Sequence, residues 1–338
     1  MRVGRSLLFL LLAATLGIAQ DSVNTKPTDA APSTSAKPSD PLPPSSTEPS
    51  DSPAKVKTER ASTPKAADSS AAPSTLSQEQ IRALIRLCAE NDLKNDKLLR
   101  DYTYTERQVT RHVDGKGQVK STETKTYDEL EIYGEPVEKL IAKDDKPLSA
   151  KDAQKEDEKI QKLIDKRKDE SDGERKKRLA KEAKDREDEL QFVREVADAY
   201  NFKFIGMETL NGRDNYVIDG DPKPGYQPVH KEAKILPKMR FRVWIDRADS
   251  QVAKLDVQCI DTVSFGLFLA RLHKGSRVIL EQVRVNDEVW LQQHVAVKVD
   301  VRVAVLKDFD IEMDVSDKDY KKFRTDAKIV GVGEVQSQ

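Results

Sequence analysis

Cysteine is nearly absent from this chain of 338 residues: Cys88 and Cys259 are the only two. No paired C-x-x-C exists, and His112, His230, His273 and His294 are scattered without a second His or Cys at ligand spacing. No metal site is therefore expected. Aromatic residues are missing from two long stretches, 21–76 and 143–190, so neither can build a core of its own. An excess of charge is missing too. The 58 basic and 59 acidic residues leave a net charge of −1, which argues against a chain-wide nucleic-acid binder. Beyond the first twenty residues, no run approaches the ~20 apolar residues of a membrane helix. G-x-S-x-G, H-E-x-x-H, the P-loop and G-x-G-x-x-G are all absent. The expectation is a protein that is not an enzyme and carries no cofactor.

What is present falls into unlike parts. Met1 to Arg5 is a short positive segment, Leu7 to Ala19 is mostly apolar, and Gly17 and Ala19 are small residues suited to cleavage. This is the layout of a signal peptide over 1–19, with no cysteine after it to form a lipobox, and it predicts a periplasmic or secreted protein. Residues 21–76 hold ten of the sixteen prolines and read as a disordered Pro/Ser/Thr-rich linker. A folded domain is expected over 77–330, with a tail at 331–338.

Within that domain, 143–190 carries sixteen basic and sixteen acidic residues. Ser149 can start a helix with a thin stripe of Ile160, Leu163 and Ile164. Gly173 reads as a break, and a second helix continues through Leu190, Val193, Ala197 and Tyr200. Acid-before-base pairs such as Glu158 with Lys162 suit an exposed helix. The block reads as a solvated helical hairpin inserted between strands, with docking of a partner protein as the alternative.

The rest is mainly β. Ser77 with Gln80 fits a capping box, and Ile81, Leu84, Ile85 and Cys88 mark an amphipathic helix to about Asn91. Tyr102–Val113 and Gln118–Tyr133 read as a hairpin. Strands follow at Phe202–Leu210 and Tyr216–Asp219 around Asn211-Gly212, then at Phe241–Asp246 and Val252–Ile260. Phe265, Phe268, Leu269 and Leu272 have helical spacing between Ser264 and Gly275. Six valines, Val295 to Val305 at every second position, form one buried face of a strand. Phe309, Ile311, Met313 and Val315 repeat the pattern, and a turn near Lys307 would set Arg302 opposite Glu312. The acidic run from Asp308 to Asp319 is then the strand's polar face; Met313 stands where a calcium loop needs Gly. These patterns predict α+β architecture: an antiparallel one-sided sheet of about eight to ten strands, its apolar face covered by the helices from Ser77 and Ser264. Incomplete cover would leave a dry cavity for an apolar ligand. Cys88 and Cys259 both fall on apolar faces, where a disulfide and two buried thiols are each allowed.

The N-terminal amphipathic helix, the Tyr/Thr-rich strands, Phe241-Arg-Val-Trp-Ile-Asp246, the strand with Trp290 and the final hairpin ending in Tyr320-Lys-Lys-Phe323 resemble outer-membrane lipoprotein-sorting-like proteins. These are relatives of the periplasmic carriers LolA and LolB and of the regulator RseB. The resemblance covers roughly 77–142 and 191–330. It implies a large curved antiparallel sheet, a half-open β-barrel, with helices over the concave face and a charged hairpin inserted. It further implies a cavity for lipid or the acyl chains of a peptide or lipoprotein. The expected lining is Val243, Trp244, Ile245, Phe265, Phe268, Leu269, Leu272, Val297, Val299 and Val301. The charged insert and the Pro-rich linker depart from the carriers, whose lipoprotein-handling residues have no match here. The alternative is a structural or regulatory envelope protein that binds a partner through 143–190.

Overall fold

The computed structural model describes residues 75–323, apart from 134, 266–269 and 304–306. The expected leader, most of the linker and the tail lie outside these residues. Helix α1 (Gln78–Leu99) starts where expected: the Ser77 hydroxyl and the Gln80 side chain form a reciprocal capping box. It runs two turns beyond Asn91 because Asn95 and Leu99 continue the buried stripe.

Strands β1 (Tyr102–Val113), β2 (Val119–Ile132), β3 (Glu135–Lys143) and the short β4 (Lys146–Pro147) follow, then α2 (Ala150–Lys168) and α3 (Asp172–Ala199). The helices part at Asp169–Ser171; Gly173 lies inside the first turn of α3, behind a second capping box on Ser171 and Glu174. Next come β5 (Tyr200–Leu210), β6 (Arg213–Pro222), a 3-10 turn at Glu232–Lys238, β7 (Met239–Asp246) and β8 (Val252–Cys259). The chain closes with β9 (Val263–Phe265), β10 (Ala270–Leu272), β11 (Arg277–Val285), β12 (Val289–Val303) and β13 (Lys307–Lys322).

All thirteen strands belong to one antiparallel sheet in the order β4-β3-β2-β1-β13-β12-β11-β8-β7-β6-β5, with β10 on β12 and β9 on β10. Among the described residues the end strands β4 and β5 do not pair, so the sheet is open, consistent with a half-barrel. Turn chemistry sets several of its joints. Asn211 (φ 51°) and Gly212 (φ 75°) make the two-residue turn of the β5–β6 hairpin, as the Asn-Gly signal requires.

Two expectations need correction. The expected helix from Ser264 does not form: Val263–Phe265 and Ala270–Leu272 are strands paired with each other, because the end of β12 offers β10 an open edge at Val301–Val303. The β12–β13 register places Arg302 opposite Asp308 and Lys298 opposite Glu312, with Val303 paired to Lys307. The parity is unchanged, so the valine face stays inward. Within the charged insert 143–190 only Ile160 is buried, on the thin apolar stripe read from the sequence. Ile160 of α2 packs on Ile132 and Val137, while Phe192 and Ala197 of α3 enter the main core.

The main core lies between the concave face and α1 with α3. Two side-chain amides stitch α1 to strand backbone. Gln78 exchanges both hydrogen bonds with the backbone of Phe202. Asn95 donates to the Trp290 carbonyl and accepts from its N–H, both at 2.7 Å. Each amide imitates a neighbouring strand and satisfies groups that burial would otherwise orphan.

Candidate ligand cavity

The two lid helices present the same pattern to the sheet. α1 offers Ile85, Cys88, Ala89 and Asp92, and α3 offers Glu189, Phe192, Val193 and Val196, each at i, i+3, i+4, i+7. Beneath them, alternate residues of the strands point inward: Phe241, Val243 and Ile245 from β7, Leu255 and Val257 from β8, Leu280 and Gln282 from β11. Tyr200, Ile235, Leu236 and Met239 close one end. The space between them, partly open to solvent, is about 140 Å³. That volume admits a benzene-sized group.

The buried polar groups here are handled locally. The Tyr200 hydroxyl donates to the carbonyls of Leu236 (2.8 Å) and Met239 (3.2 Å), and burial pushes its pKa up. Burial first, then the charge of Asp92, pushes the Cys88 thiol far up, so it stands as a protonated thiol and not as a thiolate nucleophile. Glu195, on the outer side of α3, accepts from the N–H groups of Val229 (2.6 Å) and His230 (3.1 Å) and so ties the Pro-rich loop to the lid. Among the described residues no group of three or more His, Cys, Asp or Glu could hold a metal ion. Nor is any described helix long and apolar enough to cross a membrane.

The structure divides the expected lining. Val243 and Ile245 face the cavity. Trp244, between them, must face the other way at a strand's period of two. Its indole N–H donates to Glu208 (2.8 Å), and Lys254 lies 5.2 Å from its ring on the outer face. Leu272, Val297, Val299 and Val301 are buried in the same core but packed against neighbours rather than lining the space. Phe265 is in β9 and its side chain lies outside the described residues, as do Phe268 and Leu269. Trp290 is also away from the cavity: its indole donates to Asp249 (2.9 Å) and Arg213 sits over its ring. Cys88 and Cys259 are both free and buried; the disulfide alternative is not realised, and the Cys259 thiol meets the Asp261 carbonyl at 2.8 Å.

Sequence reasoning missed the α3 contribution because charge dominates that helix up to Glu189; the i, i+3, i+4 spacing of Glu189, Phe192 and Val193 was the available signal. It also missed Ile235 and Leu236, which sit in a Pro-rich loop where no periodicity operates. The terminal Asp246 of the Trp-Ile-Asp strand proves structural. It is 1% exposed, pairs with the Arg213 guanidinium through both oxygens (2.7 and 2.8 Å) and caps the following turn.

No family model matches the chain, and no curated protein matches it. Solved structures do. One is described as an outer membrane lipoprotein-sorting protein domain from Vibrio parahaemolyticus: 12% identity, TM-score 0.31, 72% of this chain and 95% of that chain. A DUF1329 family protein from Desulfovibrio piger matches at 13% identity and TM-score 0.25, over 75% of this chain and 95% of its own. A LolA superfamily protein from Nitrosomonas europaea matches at 7% identity and TM-score 0.25, over 70% and 94%. At these scores the likeness gives no residue-by-residue correspondence.

Proposed function

We propose that this chain is an exported, non-catalytic binding protein that holds an apolar ligand in the helix-lidded cavity. The ligand class is lipid, or the acyl chain of a peptide or lipoprotein. The observation that supports this is the cavity of about 140 Å³ between α1, α3 and the sheet, lined mainly by aliphatic and aromatic side chains. As it stands the space holds a ring or a short stretch of acyl chain; a longer chain requires the lid helices to move outward. Organic extraction of natively purified protein should yield lipid, and a neutral environment-sensitive dye should bind. Ala89→Phe, which fills the space from α1, should abolish dye binding without unfolding the protein. A protein that yields no lipid and binds no dye would remove the proposal.

One observation favours a second role, that of a structural or regulatory envelope protein. α3 is continuous from the exposed hairpin into the lid, so a partner gripping the hairpin would act on a helix that covers the cavity. Crosslinking from Lys177 in cell envelopes should return one defined partner, lost on changing Lys176, Lys177 and Lys181 to Glu. An empty crosslinking profile would discard this role.

A further inference from the structure

The charges of the inserted hairpin balance overall but are unevenly placed. From Arg175 to Lys184 the first turns of α3 read Arg-Lys-Lys-Arg-Leu-Ala-Lys-Glu-Ala-Lys, six cations against one acid. The inward side of this stretch is taken up by the fold. Arg178 pairs with Glu135 (3.4 Å), Glu170 (2.9 Å) and Glu182 (3.3 Å), so the one acid is neutralised within the helix. The other five cations, Arg175, Lys176, Lys177, Lys181 and Lys184, are exposed, and none forms an ion pair among the described residues. Acids frame the stretch without entering it. Asp172 and Glu174 precede it, with Glu174 held by the backbone N–H (3.1 Å) and hydroxyl (2.7 Å) of Ser171, and Asp185, Glu187 and Asp188 follow.

The outward face also carries an apolar ridge. Lys176, Leu179, Ala180 and Ala183 fall at i, i+3, i+4, i+7, and Lys177, Lys181 and Lys184 run beside them at i, i+4, i+7. Leu179 is 47% exposed and packs into none of the apolar cores of the described residues.

This combination selects the kind of partner. Protein interfaces are anchored by Trp, Tyr and Arg and are poor in Lys at their centres. Residues 143–190 hold no aromatic, and Arg178 is turned inward. Lysine is a compact point charge on a flexible stem and needs no shaped counterpart. Its stem lies along apolar surface while its head reaches into a polar layer. Lysines flanking a small apolar ridge are complementary to a plane of negative lipid head groups above a shallow apolar layer.

We infer that the Arg175–Lys184 face docks the protein on an anionic bilayer, with its lysines among the head groups and Leu179 toward the acyl boundary. One leucine buries little area, so the attraction is electrostatic and the attachment reversible. The inference stands apart from both readings above: it needs neither a ligand in the cavity nor a protein on the hairpin.

The test is flotation of the chain without residues 1–19, whose apolar run would bind lipid by itself. The vesicles are phosphatidylcholine alone or with about a third phosphatidylglycerol. Binding to the anionic vesicles should exceed binding to the neutral ones by about tenfold or more, and should fall as salt is added. The variant Lys176→Gln, Lys177→Gln, Lys181→Gln, Lys184→Gln should lose that preference while its thermal melt stays as in the wild type, because these side chains hold nothing in the fold. A control removes the same charge elsewhere: Lys97→Gln, Lys203→Gln, Lys231→Gln, Lys234→Gln, all exposed and off the patch, should bind as the wild type does. Leu179→Ser should weaken binding by no more than about threefold. Equal binding to both vesicles, a patch variant that binds like the wild type, or a control that loses as much as the patch variant overturns the inference. Binding to neither vesicle, with one protein still crosslinked from Lys177, overturns it in favour of a protein partner.

Discussion

Strands β7 and β2 belong to one sheet and are built differently. β7 buries five of its eight residues, four of them apolar: Met239, Val243, Trp244 and Ile245. β2 buries three of fourteen, and only Ile132 among them is apolar. The half of the sheet around β7 needs its helices, because an uncovered apolar face would lie in water. The half around β2 is held by its hydrogen-bonded ladder and by the thin stripe of α2, assisted by ion pairs. Arg167 and Arg178 of the hairpin meet Glu135 of β3 at 2.5 and 3.4 Å, and Arg178 grips Glu170 at 2.9 Å. The difference teaches where a ligand can be held. The covered half has apolar volume to spare, and the other half is a strut that carries the charged hairpin.

The comparison makes graded predictions. Ile218→Ala, in the covered half at 0% exposure, should cost about 2–5 kcal/mol in denaturant unfolding, by lost burial and a residual cavity. Val137→Ala in the strut half should cost less than about 2 kcal/mol. Equal costs would break the comparison. Asn95→Ala strips the partners from both backbone groups of Trp290 and should cost about 2–4 kcal/mol, since each orphaned group loses roughly 1–3. A loss under 1 kcal/mol would mean that water replaces the amide at that edge. Gly220→Ala should cost about 1–3 kcal/mol, because a Cβ there would lie 2.5 Å from the Phe241 ring; the paired change Gly220→Ala with Phe241→Leu should recover part of it.

The smallest effect is electrostatic. A hydrogen bond from Lys254 chiefly, with the charges of Lys254 and His294, holds the Glu281 carboxyl below its ordinary value. A depressed carboxylate contributes stability above its unfolded pKa, and that contribution is lost as pH falls through the folded one. Melting of wild type and Glu281→Gln should therefore differ slightly at neutral pH and converge at acidic pH. A gap that widens on acidification would reverse the sign.

The legible parts were those with local periodicity. The capping box at Ser77 and Gln80, the alternation Phe241, Val243, Ile245, and the valine run of β12 each signalled its element, because i, i+3, i+4 and i, i+2 spacings are set by the backbone itself. The same periodicity misled at Phe265–Leu272. Of the four apolar residues at helical spacing, Phe265 and Leu272 lie in two short paired strands, because β12 extends past β11 and leaves an edge for β10 to fill. Trp244 was misplaced by proximity in sequence, although a period of two already puts it on the face opposite Val243. The lining residues Ile235 and Leu236 carried no signal, since a 3-10 turn in a Pro-rich loop has no long repeat to read.

The sequence by itself determined a one-sided antiparallel sheet, an amphipathic N-terminal helix and a charged helical hairpin, because burial of an apolar stripe and hydration of a charged one are encoded residue by residue. Tertiary structure alone decided which helix becomes the second lid and that the two cysteines stay apart in one core. Those facts depend on the antiparallel docking of segments about a hundred residues apart, and pairing at that distance is set by the competition among all apolar faces at once.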